Sequence, residues 1–399
     1  MNRVNELIKE YCPDGVPFQK VKDVYTRVKG TPITAGKMKE IACDDGEIRI
    51  FAGGKTIIDA HEKDIPKANI TRVPAVLVQS RGVIDVVYYD KPFTFKNEMW
   101  AYTSEDIVSV KFLYYVLKNS IQTFRDAASG MGSLPQISLK VTEEFMLPVP
   151  PLEVQREIVH ILDYFTLLTA ELTAELTAEL TARKKQYEFY RDKLLTFGND
   201  TLECRLKDIC DIFLGLTATP NYTDAGVKFI SAQNTSNDFL DLSNVKYISE
   251  TDFESATSNA KPQRGDLLFT RVGSNLGHPV IVETDEKLCI FVSLGYLRVR
   301  NKKQVVIGYL KHWMNTDLFW SQVRKNVHGA AKVNLNTGWL KEFRISLPPL
   351  ETQERIVHVL DNFEAICTDL NIGLPAEIEA RQKQYEYYRD KLLSFKELS

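Results

Sequence analysis

The sequence predicts an α+β fold, with two globular domains of mixed helices and strands joined by two long helices that form an antiparallel coiled coil. Three observations lead to this prediction. The chain has 399 residues, enough for two or three domains. Residues 150–197 recur at 348–395 without a gap, and 28 of the 48 positions are identical. Each copy follows a longer segment, and these two longer segments barely match each other.

The repeat divides the chain into four segments. Residues 1–149 form a first globular domain and 150–199 a first helical region, while 200–347 form a second globular domain and 348–399 a second helical region. The period is far longer than the ~20 to 50 residues of solenoid repeats. The duplicated unit is therefore a globular domain with its own helical region.

Composition excludes several classes of protein. The chain carries 50 Lys and Arg against 53 Asp and Glu, a formal net charge of −3, which excludes a uniformly basic nucleic-acid coat. Its six cysteines form no C-x-x-C pair, and no run of ~18 apolar residues occurs. We therefore expect a protein of the cytoplasm, a reducing compartment, that is neither exported nor membrane-spanning.

The globular segments show strand and helix patterns in the same order. Each has two strand-like runs around a polar turn, 73–78 and 83–89 in the first segment and 266–269 and 279–282 in the second. A helical stretch and a glycine-containing loop follow in each segment. The helical stretches are 110–124 and 306–323, and the loops are 129–133 and 328–332.

The helical regions have apolar residues spaced by threes and fours, which predicts amphipathic helices. An unbroken helix from Glu153 to Phe197 would be about 67 Å long at 1.5 Å per residue. Two amphipathic helices in one chain can pack together through their apolar faces as an antiparallel coiled coil. In the second copy, Gly373-Leu374-Pro375 should interrupt the helix, with Pro375 opening a new one.

The first helical region contains Thr-Ala-Glu-Leu three times in succession, from Thr169 to Leu180. One interpretation is a solvated helix of biased composition, because Ala, Glu and Leu are strong helix formers. The other is a spacer whose length matters, since exact tandem copies can be gained or lost without breaking the helix. The positions that mark this spacer are Thr169, Leu172, Leu176 and Leu180.

Catalytic and metal-binding motifs are missing from the sequence. Gly53-Gly54-Lys55-Thr56 imitates the end of a P-loop, but Arg49 stands where the first glycine of that motif should be. No Asn-Pro-Pro-aromatic or Asp-Pro-Pro-aromatic methylation motif occurs, and no H-E-x-x-H pair is present. We expect a chain with no catalytic residue and no metal site.

Polar groups suited to reading DNA bases lie in the predicted loops of both globular segments. Arginine pairs bidentately with guanine, and asparagine or glutamine with adenine. Polar loops are common in any protein, so each residue is only a candidate. The candidates are Gln79, Ser80, Arg81, Gln233, Asn234, Thr270, Arg271, Ser274, Asn275, Lys332 and Asn334.

Aromatic residues recur near the end of each helical copy, and they exceed what one coiled-coil stripe can bury. Nearby acidic residues offset the adjoining Lys and Arg, which favours a surface for a partner protein over one for DNA. These residues are Tyr187, Phe189, Tyr190, Tyr385, Tyr387 and Tyr388.

The whole chain resembles the specificity subunit of type I restriction-modification systems. The resemblance rests on the variable-constant-variable-constant order, the doubled Pro-Pro-Leu-Glu-x-Gln, the doubled Tyr-Arg-Asp-Lys-Leu-Leu and the Thr-Ala-Glu-Leu tandem. The stretch Arg264–Arg271 is also similar to one found in the target recognition domains of that family. The first segment departs from it, with Arg72–Arg81 in its place.

The resemblance implies a non-catalytic DNA-reading subunit of a bacterial multisubunit complex. Each target recognition domain would read one half of a bipartite duplex, and the helices would set the spacer between the halves. Two modification subunits would dock on this scaffold and methylate adenine with S-adenosylmethionine. Restriction subunits would add ATP- and Mg-dependent translocation and cleavage, so no cofactor is expected in this chain.

A coiled-coil adaptor that binds only proteins is the alternative from another class. One test distinguishes the adaptor from the DNA-reading subunit. In the presence of a modification subunit, a duplex with the target sequence should stabilise a DNA-reading subunit but not an adaptor that binds only proteins. The bases read do not follow from the sequence, because side-chain preferences without docking geometry leave every position open.

Overall fold

The computed structural model describes residues 2–54, 56–129, 134–198, 201–273, 275–326, 334–368 and 373–398. The chain forms two compact units. The first unit contains Met1–Thr173 and Ala380–Ser399, and the second contains Ala174–Glu379. Each unit therefore combines one globular segment with parts of both helical regions. Within the described ranges, no helix has both the length and the apolar character needed to cross a membrane.

The first globular segment contains six helices and nine strands in its described residues. The helices are α1 (Asn2–Tyr11), α2 (Val21–Val24), α3 (Ala35–Ile41), α4 (Ile107–Asn119), α5 (Ile121–Asp126) and α6 (Leu139–Glu143). The strands are β1 (Phe18–Lys20), β2 (Thr26–Val28), β3 (Ile48–Phe51), β4 (Ile57–Ala60), β5 (Ala75–Gln79), β6 (Asp85–Tyr89), β7 (Phe93–Phe95), β8 (Trp100–Thr103) and β9 (Met146–Pro148).

The main sheet of the first unit is antiparallel, in the order β2-β8-β5-β6, and its central strand β5 is buried throughout. Strand β5 and its partner β6 confirm the predicted strand pair. Their apolar side chains pack against α4 and against the start of the first helical region, through residues such as Val76, Phe112 and Ile158. Burial of this shared core fixes the helical region to the globular domain.

A smaller sheet, in the order β4-β3-β7, extends the first unit. Strand β3 pairs antiparallel with β4 and parallel with β7. With α3 it encloses a separate small core that includes Met38, Ile48, Ile50 and Ala60. This core has few members, so it contributes limited hydrophobic stabilisation of its own.

The second globular segment uses the same parts in its described residues. Its helices are α8 (Leu206–Ile209), α9 (Glu250–Ser255), α10 (Ile307–Met314), α11 (Asp317–Asn326) and α12 (Thr337–Glu342). Its strands are β10 (Glu203–Arg205), β11 (Cys210–Leu214), β12 (Tyr222–Thr223), β13 (Val227–Ile230), β14 (Lys246–Ile248), β15 (Leu267–Thr270), β16 (Pro279–Ile281), β17 (Leu288–Ile290), β18 (Leu294–Val299) and β19 (Arg344–Ser346).

The two globular segments share one topology despite their different sequences. The main sheet of the second unit has the order β11-β18-β15-β16, which matches β2-β8-β5-β6 strand for strand. Its parallel pair β13 and β17 corresponds to β3 and β7. The β15–β16 pair confirms the second predicted strand pair. The duplication detected in the helical regions therefore includes the globular domains.

The predicted helical stretch near the end of each globular segment is two helices. In the first segment α4 ends before Ser120, whose N–H bonds back to Val116 O at 3.1 Å, and α5 follows. In the second, Thr316 separates α10 from α11, and its hydroxyl oxygen accepts a hydrogen bond from Phe319 N at 3.3 Å. A residue that caps a new helix in this way ends the preceding one.

The first helical region is a single helix, α7 (Leu152–Leu194), of 43 residues. The second contains α13 (Leu350–Thr368) and α14 (Leu374–Leu393), so the predicted interruption is confirmed, with the new helix beginning one residue before Pro375. In the first unit α7 and α14 run antiparallel. Phe165 lies 5.8 Å from Tyr388 between ring centroids, and the next residue, Thr166, is 3.1 Å from the earlier Tyr385.

The repeated Pro-Pro-Leu-Glu-x-Gln sequence forms the joint between helix and globular domain in each unit. Gln155 Nε2 donates to Pro150 O at 2.8 Å, and Gln353 Nε2 donates to Pro348 O at 2.9 Å. Each Gln Oε1 accepts from the helix of its own domain, from Ser109 Oγ or from Val306 N, both at 3.0 Å. Both glutamines are buried. Their repetition therefore reflects a shared structural role.

Candidate nucleic-acid interface

In the first unit, the turn after β5 is held between two other segments. Ser80 O accepts a hydrogen bond from Ile137 N at 3.0 Å, and Gly82 N donates to Pro135 O at 2.9 Å. On its other side, Arg81 O accepts from Gly54 N at 3.0 Å. These bonds fix the backbone of residues 79–82 beside residues 134–137.

The three predicted base-reading side chains of this turn differ in exposure. Gln79 and Ser80 are buried, at 6% and 2% exposure, and the Ser80 hydroxyl donates to Glu98 O at 2.5 Å. Arg81 is exposed. In this conformation Arg81 is the member of the predicted trio that solvent, and therefore a duplex, can reach.

The second unit repeats this loop arrangement after β15. Arg271 O accepts from Leu335 N at 3.0 Å, and Val272 forms a bridge with Asn334. Matching these contacts makes Arg271 the structural counterpart of Ser80, and Val272 that of Arg81. Arg81 and Arg271 therefore occupy adjacent, not equivalent, positions of the same loop. The sequence alone did not show this offset of one residue.

Arg271 has an incompletely satisfied guanidinium. The side chain is partly buried, and Nη1 lies 3.5 Å from Val292 O, at the limit of a hydrogen bond. Its buried Nε has no hydrogen-bond partner among the described residues. Unsatisfied donors of this kind are rare in folded proteins and often mark a functional position. The donors of Arg271 are therefore not saturated by the protein around them.

The other candidates of the second unit are divided between structural and exposed positions. Asn234 is buried and holds its loop, since Nδ2 donates to Asp241 O and Asn244 O, both at 3.2 Å. Thr270 is also buried. The side chains open to solvent are those of Gln233, Asn334 and, in part, Asn275. Ser274 and Lys332 lie outside the described residues.

The structure places further residues beside the candidate loops that the sequence did not single out. Leu134, on the segment beside the first loop, is 63% exposed, and its side chain approaches Gly82. Gln136 pairs with Arg81 across the same two segments. The sequence offered one indication of these residues, which is that 134–137 directly follow the glycine-containing loop 129–133. Their pairing with 79–82 is a tertiary contact, which local sequence does not encode.

The repeated aromatics of the helical regions fall into three environments. Tyr187 bonds through its hydroxyl to His312 Nδ1 at 3.0 Å, and Tyr385 bonds to Thr166 at 3.1 Å. Tyr190 and Tyr388 pack within their units on the rings of Phe363 and Phe165. The equivalent residues Phe189 and Tyr387 are each 61% exposed.

The Thr-Ala-Glu-Leu triplet lies within α7. Thr169, Leu172, Leu176 and Leu180 are half-buried, whereas the Ala and Glu residues of the triplet are exposed. The division between the two compact units falls within the triplet, at Thr173 and Ala174. The tandem therefore lies where the helix passes from one unit to the other.

The family described as the type I restriction modification DNA specificity domain matches this chain twice, over residues 13–182 and 199–380. The two matches cover most of the sequence. This chain belongs to the type I restriction-modification specificity family. The two matches correspond to the duplication seen in both sequence and fold.

Relatives of known name support this membership. The chain is 31% identical over 299 residues to the EcoR124I/EcoR124II specificity subunit of Escherichia coli, covering 72% of this chain and 71% of that protein. It is 30% identical over 328 residues to the MpnII specificity subunit of Mycoplasma pneumoniae, covering 66% of this chain and 92% of that one.

Solved structures show the same fold. A chain from work on complex assembly and conformational transition of the type I R-M system matches with a TM-score of 0.66 and 16% identity, covering 96% of this chain and 98% of that one. The HsdS subunit of Thermoanaerobacter tengcongensis matches with a TM-score of 0.53 and 16% identity, covering 96% and 97%.

Membership assigns the general role of the chain. It is a DNA specificity subunit of the type I restriction-modification family, not a general coiled-coil adaptor. Specificity subunits of this family act together with DNA and with the other subunits of the restriction-modification complex.

Proposed function

We propose that each globular domain reads one half of a bipartite DNA target through the paired loops described above. In the first domain these are residues 79–82 with 134–137, and in the second 270–273 with 334–335. The observation that carries the proposal is that one backbone arrangement recurs in both domains with different side chains. A shared scaffold with different polar groups, such as the exposed Arg81 and the partly buried Arg271, is suited to reading two different half-sites.

The helical regions set the distance and the rotation between the half-sites. Helix α7 contributes residues to both units, and the Thr-Ala-Glu-Leu triplet lies at the transition. A rigid helix transmits both rise and rotation from one unit to the other.

Two modification subunits dock on the helical regions. Support comes from the duplication itself, because Phe189 and Tyr387 are equivalent, equally exposed aromatics, one for each copy of the repeat. Exposed aromatics of this kind are typical anchors of protein interfaces. Two equivalent surfaces provide for two copies of one partner.

The chain itself contributes recognition and no chemistry. S-adenosylmethionine would be bound by the modification subunits, and ATP and Mg²⁺ by restriction subunits. The P-loop-like residues of this chain support this division. Gly53 and Gly54 lie in the turn between β3 and β4, whereas a P-loop connects a strand to a helix. Arg49 is a strand residue paired with Asp59 at 2.8 Å.

A domain exchange tests the proposal. Residues 1–149 are replaced by the corresponding segment of a relative with a different target, and methylation by the reconstituted complex is measured on duplexes varied at every position. One half of the target should change and the other should stay the same, because the reading loops lie in separate domains. A change in both halves would contradict the proposal.

A further inference from the structure

A cysteine, an aspartate and a histidine meet at the edge of the small sheet of the first unit. Cys43 Sγ, one carboxylate oxygen of Asp45 and one ring nitrogen of His61 all lie within 4.8 Å of one another. Cys43 and Asp45 belong to the loop between α3 and β3, and His61 directly follows β4. Neither DNA recognition nor helix packing uses these residues.

The backbone holds this cluster together. Cys43 N donates to Asp59 O at 3.0 Å, which ties the loop to the end of β4. Gly46 packs directly on the same strand, since a Cβ at this position would lie 2.2 Å from Ala60 N. A glycine is therefore required for the loop to approach His61 this closely.

The imidazole of His61 is oriented as in many metal sites. Its Nδ1 lies 2.8 Å from Glu47 Oε2, while its Nε2 points to Asp45 Oδ1 at 3.5 Å. Glu47 also accepts a hydrogen bond from Glu62 N at 2.9 Å. A carboxylate that fixes one imidazole nitrogen leaves the other free to bind a metal.

A second group of similar composition, His312, Asp361 and Glu364, differs in that a lysine pairs with one of its carboxylates. His312 uses Nε2 for Asp361 at 2.8 Å and Nδ1 for Tyr187 at 3.0 Å, and Glu364 pairs with Lys311 at 2.6 Å. Because Lys311 already neutralises Glu364, this second group is accounted for as a packing network.

We propose that Cys43, Asp45 and His61 bind one Zn²⁺ ion, with Glu47 as the outer partner of the histidine. Thiolate, imidazole and carboxylate are the ligands that zinc prefers, and three protein ligands leave the fourth tetrahedral position to water. At zinc–ligand distances of about 2.0 to 2.3 Å the ligand atoms would lie about 3.5 Å apart. The ligand atoms, which lie within 4.8 Å of one another, would therefore approach by at most about 1.3 Å on binding.

The charges around the cluster also favour a cation. The Asp45 carboxylate lies beside the Cys43 thiol, and its negative charge would attract a cation. On binding, the thiol proton of Cys43 would pass to solvent and the thiolate would bond to the ion. Side-chain exposure of 32% for His61 and 83% for Asp45 leaves the site open to solvent.

The bound ion would strengthen the small core under β3 and β4. It would link the loop before β3 to the residue after β4, and so close the open end of the hairpin. The sequence predicted no metal site because it contains no metal-binding motif with ligands at short, regular spacing. Here the ligands come together through the hairpin, 18 positions apart in sequence.

Cobalt titration of the full-length chain tests the proposal. Metal-depleted, reduced protein is titrated with Co²⁺, and the thiolate–cobalt absorption band is followed. We expect one equivalent of Co²⁺ to give this band and Zn²⁺ to abolish it. Zn²⁺ should also raise the Tm of the wild-type chain.

Variants identify the ligands. Cys43→Ser and His61→Gln should lose the band and the Zn²⁺-dependent rise in Tm. Glu47→Gln, at an exposed position, should weaken Co²⁺ binding by about 10- to 100-fold. Cys204→Ser, at a half-buried cysteine of the second unit, is the matched control and should keep full binding. No saturable band in the wild-type chain, an unchanged band in Cys43→Ser, or unchanged affinity in Glu47→Gln would each overturn the proposal.

Discussion

At the residue scale, exposure separates side chains that can read DNA from those that shape the loops. Gln79, Ser80, Asn234 and Thr270 are buried, and Asn234 holds its loop through backbone carbonyls. The type of residue does not distinguish these two roles, because an amide or hydroxyl group can form a hydrogen bond with a DNA base or with the neighbouring protein backbone. The sequence therefore located the loops, and the structure was needed to show which side chains face outward.

Arg271→Ala should weaken recognition of the half-site read by the second domain. Loss of a bidentate guanidinium–base contact costs about 1 to 3 kcal/mol of discrimination at one base pair. Methylation rates of the reconstituted complex are measured on duplexes varied at each position of both half-sites. Arg264→Ala is the matched control, because Arg264 is exposed and paired with Asp285. A loss of methylation rate that was equal for all duplex sequences would instead indicate that Arg271 contacts a DNA phosphate.

At the element scale, the joint between α7, α10 and α13 contains a histidine–carboxylate hydrogen bond whose contribution to stability depends on pH. His312 is fully buried, and its Nε2 lies 2.8 Å from Asp361. Burial raises the pKa of Asp361, but the hydrogen bond with His312 and the nearby His312, Lys311 and His358 side chains together outweigh burial, and the net pKa lies below the ordinary value. The carboxylate therefore stabilises the fold above pH ~3.9 and loses this effect as the pH falls further.

Asp361→Asn should lower the Tm of the chain near neutral pH, and by less as the pH falls through ~3.9. Thermal unfolding of the variant and the wild-type chain between pH 7 and pH 3 measures this difference. Asp317→Asn is the control, since Asp317 is 74% exposed and its pair with Arg324 lies at the surface. A Tm difference that did not vary with pH would rule out the ionised Asp361 carboxylate as its cause.

Deletion of Thr173–Leu176 should shift the preferred spacer to one base pair fewer, with both half-sites unchanged. Four residues of helix correspond to about 6 Å of rise and about 40° of rotation beyond a full turn. One base pair is about 3.4 Å along the axis and about 35° of rotation. Rotation should dominate, because a loop on the wrong side of the duplex loses its base contacts, whereas a few ångströms can be absorbed by bending.

The spacer measurement is methylation of duplexes with the same half-sites at successive spacer lengths. Glu175→Gln, which keeps the helix length and changes an exposed residue of the triplet, is the matched control and should keep the original optimum. An optimum that stays unchanged after the deletion would favour the solvated-helix interpretation of the triplet.

At the scale of the whole molecule, the duplication was visible in the helical regions and hidden in the globular domains. Gln155 and Gln353 recur because each makes the same joint to its own domain, so few other side chains fit. The sheets keep their strand order with different core residues, such as Val76 in one and Leu267 in the other, since many different sets of apolar side chains can fill the core of one topology. Helix periodicity and strand pairs were therefore predictable, whereas the contacts between distant loops were not.

The purified chain alone should show no methyltransferase, nuclease or ATPase activity. Gly53 and Gly54, the glycines of the P-loop-like sequence, lie in a strand-to-strand turn, whereas the phosphate cradle of a P-loop leads from a strand into a helix. The measurement is turnover of labelled S-adenosylmethionine, DNA and ATP by the purified chain. Turnover that disappears after a point mutation within the chain would contradict this prediction.

The central claim is that this chain determines which DNA sequence its complex recognises. Mapping of adenine methylation across the genome, in cells with and without the chain, tests this most directly. We predict methylation at one bipartite motif, two short half-sites around an unspecified spacer, that disappears without the chain and changes in one half when 1–149 is exchanged. The same set of methylated adenines in both kinds of cell would contradict the claim.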